Sequence, residues 1–236
     1  MTILAIDTSS AWCSVALLFD DNRFELKHEE LGSQSSQLLL PWIQTLLHTH
    51  QLSWQDVNAI AVSEGPGAFT GVRLGVGVAQ GLALANNKPL VPISSLDGLA
   101  LHQYFINEST WIRDAVILVA IDARMDQVYW AKYQTSKDSI PKRLGNIELS
   151  APENIDLDGV DFIVGNALEI YPERIRSINS PLVGAKQPTP NALGIAFAAK
   201  QLGSISSGYA AADCQPLYVR DKVAQTIAER TIGKVG

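Results

Sequence analysis

Hydrophobic and polar positions divide the chain into short runs and periodic stretches. The run "TILAID" (2–7) is followed by "WCSVALLF" (12–19) and "RFELKHEE" (23–30), with short polar turns between them. Three antiparallel strands are predicted there. From Ser35 the spacing changes: Leu38, Leu39, Trp42, Ile43, Leu46 and Leu47 recur at intervals of three and four, which predicts an amphipathic helix ending near His50. A strand over 58–65, a helix over 70–86, a strand over 89–94 and a helix over 96–105 follow.

A second set then begins. "AVILVAID" (115–122), "DQVYWAKYQ" (126–134) and "RLGNIELS" (143–150) read as three more strands, "VDFIVGN" (160–166) as a fourth and "NALGIAFAAKQL" (191–202) as a helix. "PLYVRD" (216–221) reads as a last short extended piece. An aspartate ends the first strand of each set, Asp7 and Asp122. The order predicts a duplicated α/β architecture, each unit with three strands, then helix, strand and helix. The expected lobes are 1–102 with 216–236, and 103–215. A ligand would ordinarily enter the cleft between two such lobes.

Composition narrows the functions open to this fold. With 236 residues, 47% of them hydrophobic, the chain can bury a full core. Against 24 acidic residues stand 18 basic ones, a net charge of −6, so the long-range attraction that draws a solitary protein to nucleic acid is absent. Only the tail reverses the sign, with Arg220, Lys222, Arg230 and Lys234 against Asp221 and Glu229; it reads as a solvated end or a partner contact. The two cysteines, Cys13 and Cys214, suit a reducing compartment. No leader and no run long enough to span a bilayer is found, so a cytoplasmic protein without membrane contact is expected.

The stretch "SEGPGAFTGVRLGVG" (63–77) has the context of a phosphate loop, with a strand before it and a helix after it. Its chemistry departs from that role. A Walker loop requires Lys and then Ser or Thr after the last glycine, where Val72 and Arg73 stand; a dinucleotide fingerprint requires glycine where Thr70 stands. Pro66 removes a backbone donor, Phe69 fills space, and Thr70 is placed to cap the helix.

The helix itself carries Gly71, Gly75, Gly77 and Gly81. Each glycine costs about 0.8–1 kcal/mol relative to alanine, about 3–4 kcal/mol in all. Close approach of another backbone would compensate, either the lobe's own sheet or a second chain. For "AIDTSS" two readings stand: a metal and phosphate site built on Asp7, Thr8 and Ser9, or a turn whose side chains cap backbone donors. The histidines His28, His48, His50 and His102 show no ligand spacing, and no nucleophile elbow marks a serine hydrolase.

Taken together, "ILAIDTSSAWCSVALL", "SEGPGAFTGVRLGVGVAQGLA", "PLVPISSLDGLA" and "AIDARMDQVYWAKY" resemble the TsaB family of bacterial tRNA threonylcarbamoyladenosine biosynthesis. The resemblance implies the duplicated two-lobed fold of actin, sugar kinases and heat-shock-protein ATPases (ASKHA). It implies no cofactor, no metal and no catalytic residue, because the catalytic paralogue TsaD carries a His-x-x-x-His motif where this chain has Ser95 and Leu99 in "SLDGL". Serine is a poor transition-metal ligand and leucine is none.

The role implied is a non-catalytic subunit that binds and activates TsaD, with the ATPase TsaE as third partner, a homodimer in isolation, and tRNA met only through the complex. The shared face in the family is formed by the first two helices. It maps here onto Leu39, Trp42, Ile43 and Leu46, and onto Gly71, Arg73, Leu74, Gly75, Val78, Gly81 and Leu82. The competing reading is an independent ATPase or small-molecule kinase using Asp7, Thr8 and Ser9; a metallopeptidase lacks ligands.

Overall fold

The structure, a computed structural model, describes residues 1–106, 114–136, 139–175, 189–201 and 210–220. Strands β1 (Ile3–Asp7), β2 (Trp12–Leu18) and β3 (Phe24–Glu30) form the predicted antiparallel meander. Parallel strands β4 (Ala59–Gly65) and β5 (Leu90–Ser94) extend it on the other side, giving the order β3-β2-β1-β4-β5.

Alternation along these strands serves two buried faces. Leu4, Ile6, Val15, Leu17, Ile60 and Val62 pack beneath helices α1 (Ser35–Thr49) and α2 (Phe69–Asn86), which contribute Leu39, Trp42, Ile43, Leu47, Val72, Val76, Ala79 and Ala83. Ile3, Ala5, Ala16, Leu18, Ala59 and Ala61 face the opposite way, onto helix α5 (Ala192–Gln201). A central strand covered on both faces reads as an unbroken apolar run, which is why "ILAI" has no polar alternation.

The second sheet, ordered β8-β7-β6-β9, comprises β6 (Val116–Asp122), β7 (Val128–Gln134), β8 (Lys142–Ser150) and β9 (Phe162–Val164). It repeats the first four strands of the first sheet in the same order and sense. The duplication is abridged. A 3-10 turn, Pro152–Asn154, stands where the counterpart of α1 was expected, and among the described residues the one-turn helix α4 (Ala167–Ile170) is the element that comes directly after β9. Helix α5, allotted from sequence to the second lobe, packs on the first sheet.

Helix α3 (Ser95–Ile106) is the wall between the lobes. Leu101 joins the core beneath the first sheet, while Leu96, Leu99 and Ala100 join Tyr129, Ala131 and Tyr133 of the second. It crosses α5 backbone to backbone: a Cβ on Gly98 would lie 2.6 Å from Ile195 Cδ1, and one on Gly194 would overlap the Gly98 carbonyl. Asp97 ties the lobes further, accepting hydrogen bonds from the Tyr133 hydroxyl at 2.7 Å and from Arg143 Nη1 at 3.2 Å.

The segment 216–220 pairs into neither sheet. It lies along α2, with the Leu217 N–H donating to the Glu64 carbonyl at 2.7 Å. The tail from Asp221 onward, including Lys222, Glu229, Arg230 and Lys234, lies outside the described residues.

Candidate functional site

The loop leaving β4 packs against the β1–β2 turn, and its Gly67 and Ala68 also line the cavity between the lobes. Gly65 turns the chain with φ of +97°, a conformation that favours glycine. The Ala68 N–H donates to the Ser9 carbonyl at 2.6 Å, and the Thr8 hydroxyl donates to the Gly71 carbonyl at 2.7 Å. A side chain at Gly67 would strike the Ser9 carbonyl, and one at Gly71 the Thr8 carbonyl. The β1–β2 turn thus leaves no room for a side chain at either glycine. Thr70 is not the cap: the helix starts at Phe69, after Ala68, which makes no side-chain capping bond. The Ser9 carbonyl accepts the Ala68 N–H at the helix start, whereas the Thr8 hydroxyl, a donor to the Gly71 carbonyl, ties the turn to the helix without capping it.

The four helical glycines separate into two pairs with different neighbours. A Cβ at Gly75 would lie 2.6 Å from Thr8 Oγ1, with Val62 and Ile6 behind it, so Gly71 and Gly75 are clearance for the chain's own turn. At Gly77 and Gly81 an added Cβ meets nothing within 4 Å. The reading that grouped Gly71 and Gly75 with Gly81 as partner contacts is corrected on this point.

The other expected face residues divide in the same way. Leu39, Ile43 and Trp42 are buried in the first core and support the helix from within, which corrects their reading as contact residues. Leu46, Leu74, Val78 and Leu82 are half-buried at its rim, and Arg73 is exposed. Outside them all lies Leu84, 80% exposed, which the sequence reading passed over. Along the outer side of α2 therefore run Arg73, Gly77, Gly81 and Leu84, one per turn.

Arg73 is held in place. Its guanidinium carbon sits 3.7 Å from the Phe69 ring centroid, and Nε donates to the Tyr218 hydroxyl at 2.8 Å. Further along, Gln80 Nε2 donates to the carbonyls of Ala211 and Cys214, each at 2.9 Å. These contacts strap residues 211–218 along α2. Separations of more than 130 residues hid them from sequence reasoning.

Between the lobes lies a cavity of about 280 Å³ lined by Ser9, Trp12, Glu30, Asp122, Arg124 and Glu169 among others. Three carboxylates against one guanidinium make it a poor seat for a polyphosphate. Asp7 and Asp122 play matching parts at its edges: Asp7 Oδ1 accepts the Ser9 N–H at 2.8 Å and Asp122 Oδ1 the Arg124 N–H at 2.9 Å. Both aspartates form turns, but the hydroxyls beside Asp7 cap no donor: Thr8 Oγ1 donates to the Gly71 carbonyl and Ser9 Oγ has no partner among the described residues. The β6–β7 hairpin is unusual in holding Arg124, Met125 and Asp126 all at positive φ. Arg220 Nη2 donates to the carbonyl of Ala123 and Arg174 Nη1 pairs with Asp126, each at 2.9 Å, holding this backbone from two sides.

Asp7 is buried with Oδ2 unpartnered, and burial pushes its carboxyl from 3.8 up to about 6. The stability Asp7 contributes is complete below pH 3.8 and is lost as pH rises through about 6. Asp7→Asn is therefore expected to gain up to about 3 kcal/mol over the parent at pH 7.5, with the gain vanishing below pH 4. Paired denaturant titrations across that range check it; a constant difference at every pH would refute it.

At the position of the paralogue's metal motif, the side chains are committed elsewhere. Ser95 donates its hydroxyl to the Pro66 carbonyl at 2.6 Å, Leu99 is fully buried, and Asp97 carries the interlobe bonds. His28 and His102, each pushed down to about 4 by burial, contact Thr189 Oγ1 and Asn191 Nδ2 at 3.2 Å. Among the described residues no group of three His, Cys, Asp or Glu is placed to hold a metal. Cys13 and Cys214 are buried free thiols, each pushed up to about 11 by burial. No helix among the described residues is long and apolar enough to cross a membrane.

The profile of the family described as TsaD, tRNA N6-adenosine threonylcarbamoyltransferase, matches residues 29–225. The chain is 34% identical to the tRNA threonylcarbamoyladenosine biosynthesis protein TsaB of Escherichia coli (strain K12), over 95% of this chain and 96% of that protein. With the TsaB of Haemophilus influenzae it shares 30% identity over 94% and 95% of the two chains. The solved structure of YeaZ from Pseudomonas aeruginosa superposes with a TM-score of 0.79 at 33% identity, covering 92% of this chain and 99% of that one. Another Pseudomonas aeruginosa structure, of an uncharacterized protein with similarity to peptidase YEAZ, gives 0.80 at 34% identity, covering 93% and 99%. Similarity of this extent in sequence and in fold establishes that the chain belongs to the TsaB family.

Proposed function

We propose that this protein is a non-catalytic cytoplasmic subunit of the tRNA threonylcarbamoyladenosine machinery, which binds and activates the transferase TsaD through the outer face of α2. The observation that carries the reading is the face itself. Exposed Gly77, Gly81 and Leu84, bordered by half-buried Leu74, Val78 and Leu82, form an apolar stripe on a helix whose one charged residue is Arg73. Such a stripe marks a contact with another protein. Without side chains at 77 and 81, a partner helix can approach the backbone closely, which offsets the helix propensity lost there.

The paralogue's metal motif is replaced by a buried leucine and a serine bonded to a backbone carbonyl, which supports a partner role over a catalytic one. The same residues speak against peptide-bond cleavage. In this reading TsaE joins through the complex of the two paralogues, the isolated chain pairs with itself through the same stripe, and tRNA is met indirectly.

Mixing experiments test it. Native mass spectrometry is expected to detect a complex with TsaD, and tRNA modification by TsaD, TsaE and the adenylate-forming synthase is expected to require this chain. Full modification in its absence would sink the proposal. The kinase reading has its own test: isothermal calorimetry of the isolated chain with ATP and Mg²⁺ is expected to show no micromolar binding, because Glu30, Asp122 and Glu169 line the cleft. Micromolar binding would restore that reading.

A further inference from the structure

The lining of the cavity between the lobes favours one sign of charge. At about 280 Å³ the space is slightly smaller than the pockets that hold drug-sized ligands. Asp122 and Arg124 answer each other, with Nη1 3.4 Å from Oδ2, and the arginine side chain is 80% exposed to water. Glu169 has a partner of its own. Exposed Glu30 makes no ion pair among the described residues. An anion entering here meets an unanswered carboxylate, whereas a cation answers it.

Strand register puts an aromatic ring beside that carboxylate. Trp12 and Glu30 stand directly opposite in the antiparallel pair of β2 and β3, so their side chains share a face. The indole is held in place: it stacks on the His28 ring with centroids 4.5 Å apart and planes 14° apart, and the Trp12 N–H donates to Ser10 Oγ at 3.1 Å. Burial pushes His28 down to about 4, so the ring stacked on the indole is neutral at pH 7 and repels no cation. A fixed indole with a carboxylate next to it is a setting that attracts an organic ammonium ion.

Ser9 adds an acceptor to the same wall. It is 3% exposed and lines the cavity; its N–H is spent on Asp7 Oδ1 and its carbonyl on the Ala68 N–H, while Oγ has no partner among the described residues. Buried hydroxyls are ordinarily bonded, so a donor arriving from the cavity would offset the cost of this one. From the second lobe Ile121 and Ile170 contribute apolar surface.

We infer that the cavity binds a compact organic cation, a primary alkylammonium ion, with its charge between Glu30 and the Trp12 ring, an N–H toward Ser9 Oγ, and its hydrocarbon stem against Ile121 and Ile170. An ammonium group carries three donors and no acceptor, which suits a wall whose uncommitted groups are acceptors. The cavity shares no residue with the outer stripe of α2, so this binding stands apart from the proposed docking of TsaD.

The indole N–H resonance of Trp12 in the isotope-labelled full chain, identified by its loss in Trp12→Phe, reports occupancy. Titrations with n-butylammonium, n-butanol and butyrate at constant ionic strength separate charge from shape. The ammonium ion is expected to shift the resonance saturably, with affinity about tenfold or more above that of the alcohol, and butyrate to leave it unmoved. Glu30→Gln is expected to weaken ammonium binding about fivefold and leave alcohol binding unchanged. Ser9→Ala, which removes a hydroxyl bonded to nothing, is expected to melt like the parent and to bind the ammonium ion about threefold more weakly. Absence of a saturable shift, equal affinities for ammonium and alcohol, a shift by butyrate, or undiminished ammonium binding in Glu30→Gln would each overturn the inference.

Discussion

Gly81→Arg is expected to melt within about 2 °C of the parent protein yet fail to associate with TsaD or with itself, and so to abolish tRNA modification in the reconstituted system. The position is exposed and an added Cβ meets nothing within 4 Å, so the substitution has no cost inside the lobe. Arginine is also a better helix former than glycine, by about 0.8 kcal/mol, which favours the fold slightly. Its long side chain would stand on the stripe between Val78 and Leu84 and hold a neighbouring backbone away. Melting curves and native mass spectra on the same sample check both halves. A folded variant that still binds TsaD would remove the face from consideration.

Gly75→Arg is expected to do the opposite and prevent folding at 37 °C. The Cβ would lie 2.6 Å from the Thr8 hydroxyl oxygen, whose bond to the Gly71 carbonyl holds the β1–β2 turn against the start of α2. Val62 and Ile6 close the space behind, so the new side chain has no exit that leaves the turn in place. A loss beyond about 4 kcal/mol would follow, a large part of the 5–15 kcal/mol by which domains are ordinarily stable. Gly75→Ala, a milder overpacking, is expected to cost about 1–3 kcal/mol. Soluble yield and thermal midpoint report the outcome, and a soluble Gly75→Arg with a normal midpoint would show that this glycine faces outward.

The contrast shows how much of the site was legible. Strands, helices and the duplicated order were readable because buried runs and three-to-four periodicity are local properties, and the two turn-forming aspartates fell at matching strand ends. The orientation of α2 was also in the sequence: Val72, Val76, Ala79 and Ala83 form its inward line, and Gly75 shares their side while Gly77 and Gly81 lie opposite. Reading the glycines in pairs by spacing concealed that division. What was not readable depends on chain segments far apart. The clamp on Arg73 comes from Tyr218, the bond at the start of α2 from the Ser9 carbonyl, and the bonds on Asp97 from Tyr133 and Arg143. Helix α5 was assigned to the wrong lobe because its uniformly apolar composition suits either sheet equally.

Helix α3 joins the two lobes. Its residues belong to both cores at once, its backbone is locked against α5 at Gly98 and Gly194, and Asp97 bonds across to the second sheet. A hinge motion would have to shear all three contacts together. These contacts predict a chain that moves little: under the proposed docking its free and bound forms are expected to superpose, and association to proceed without a slow conformational phase.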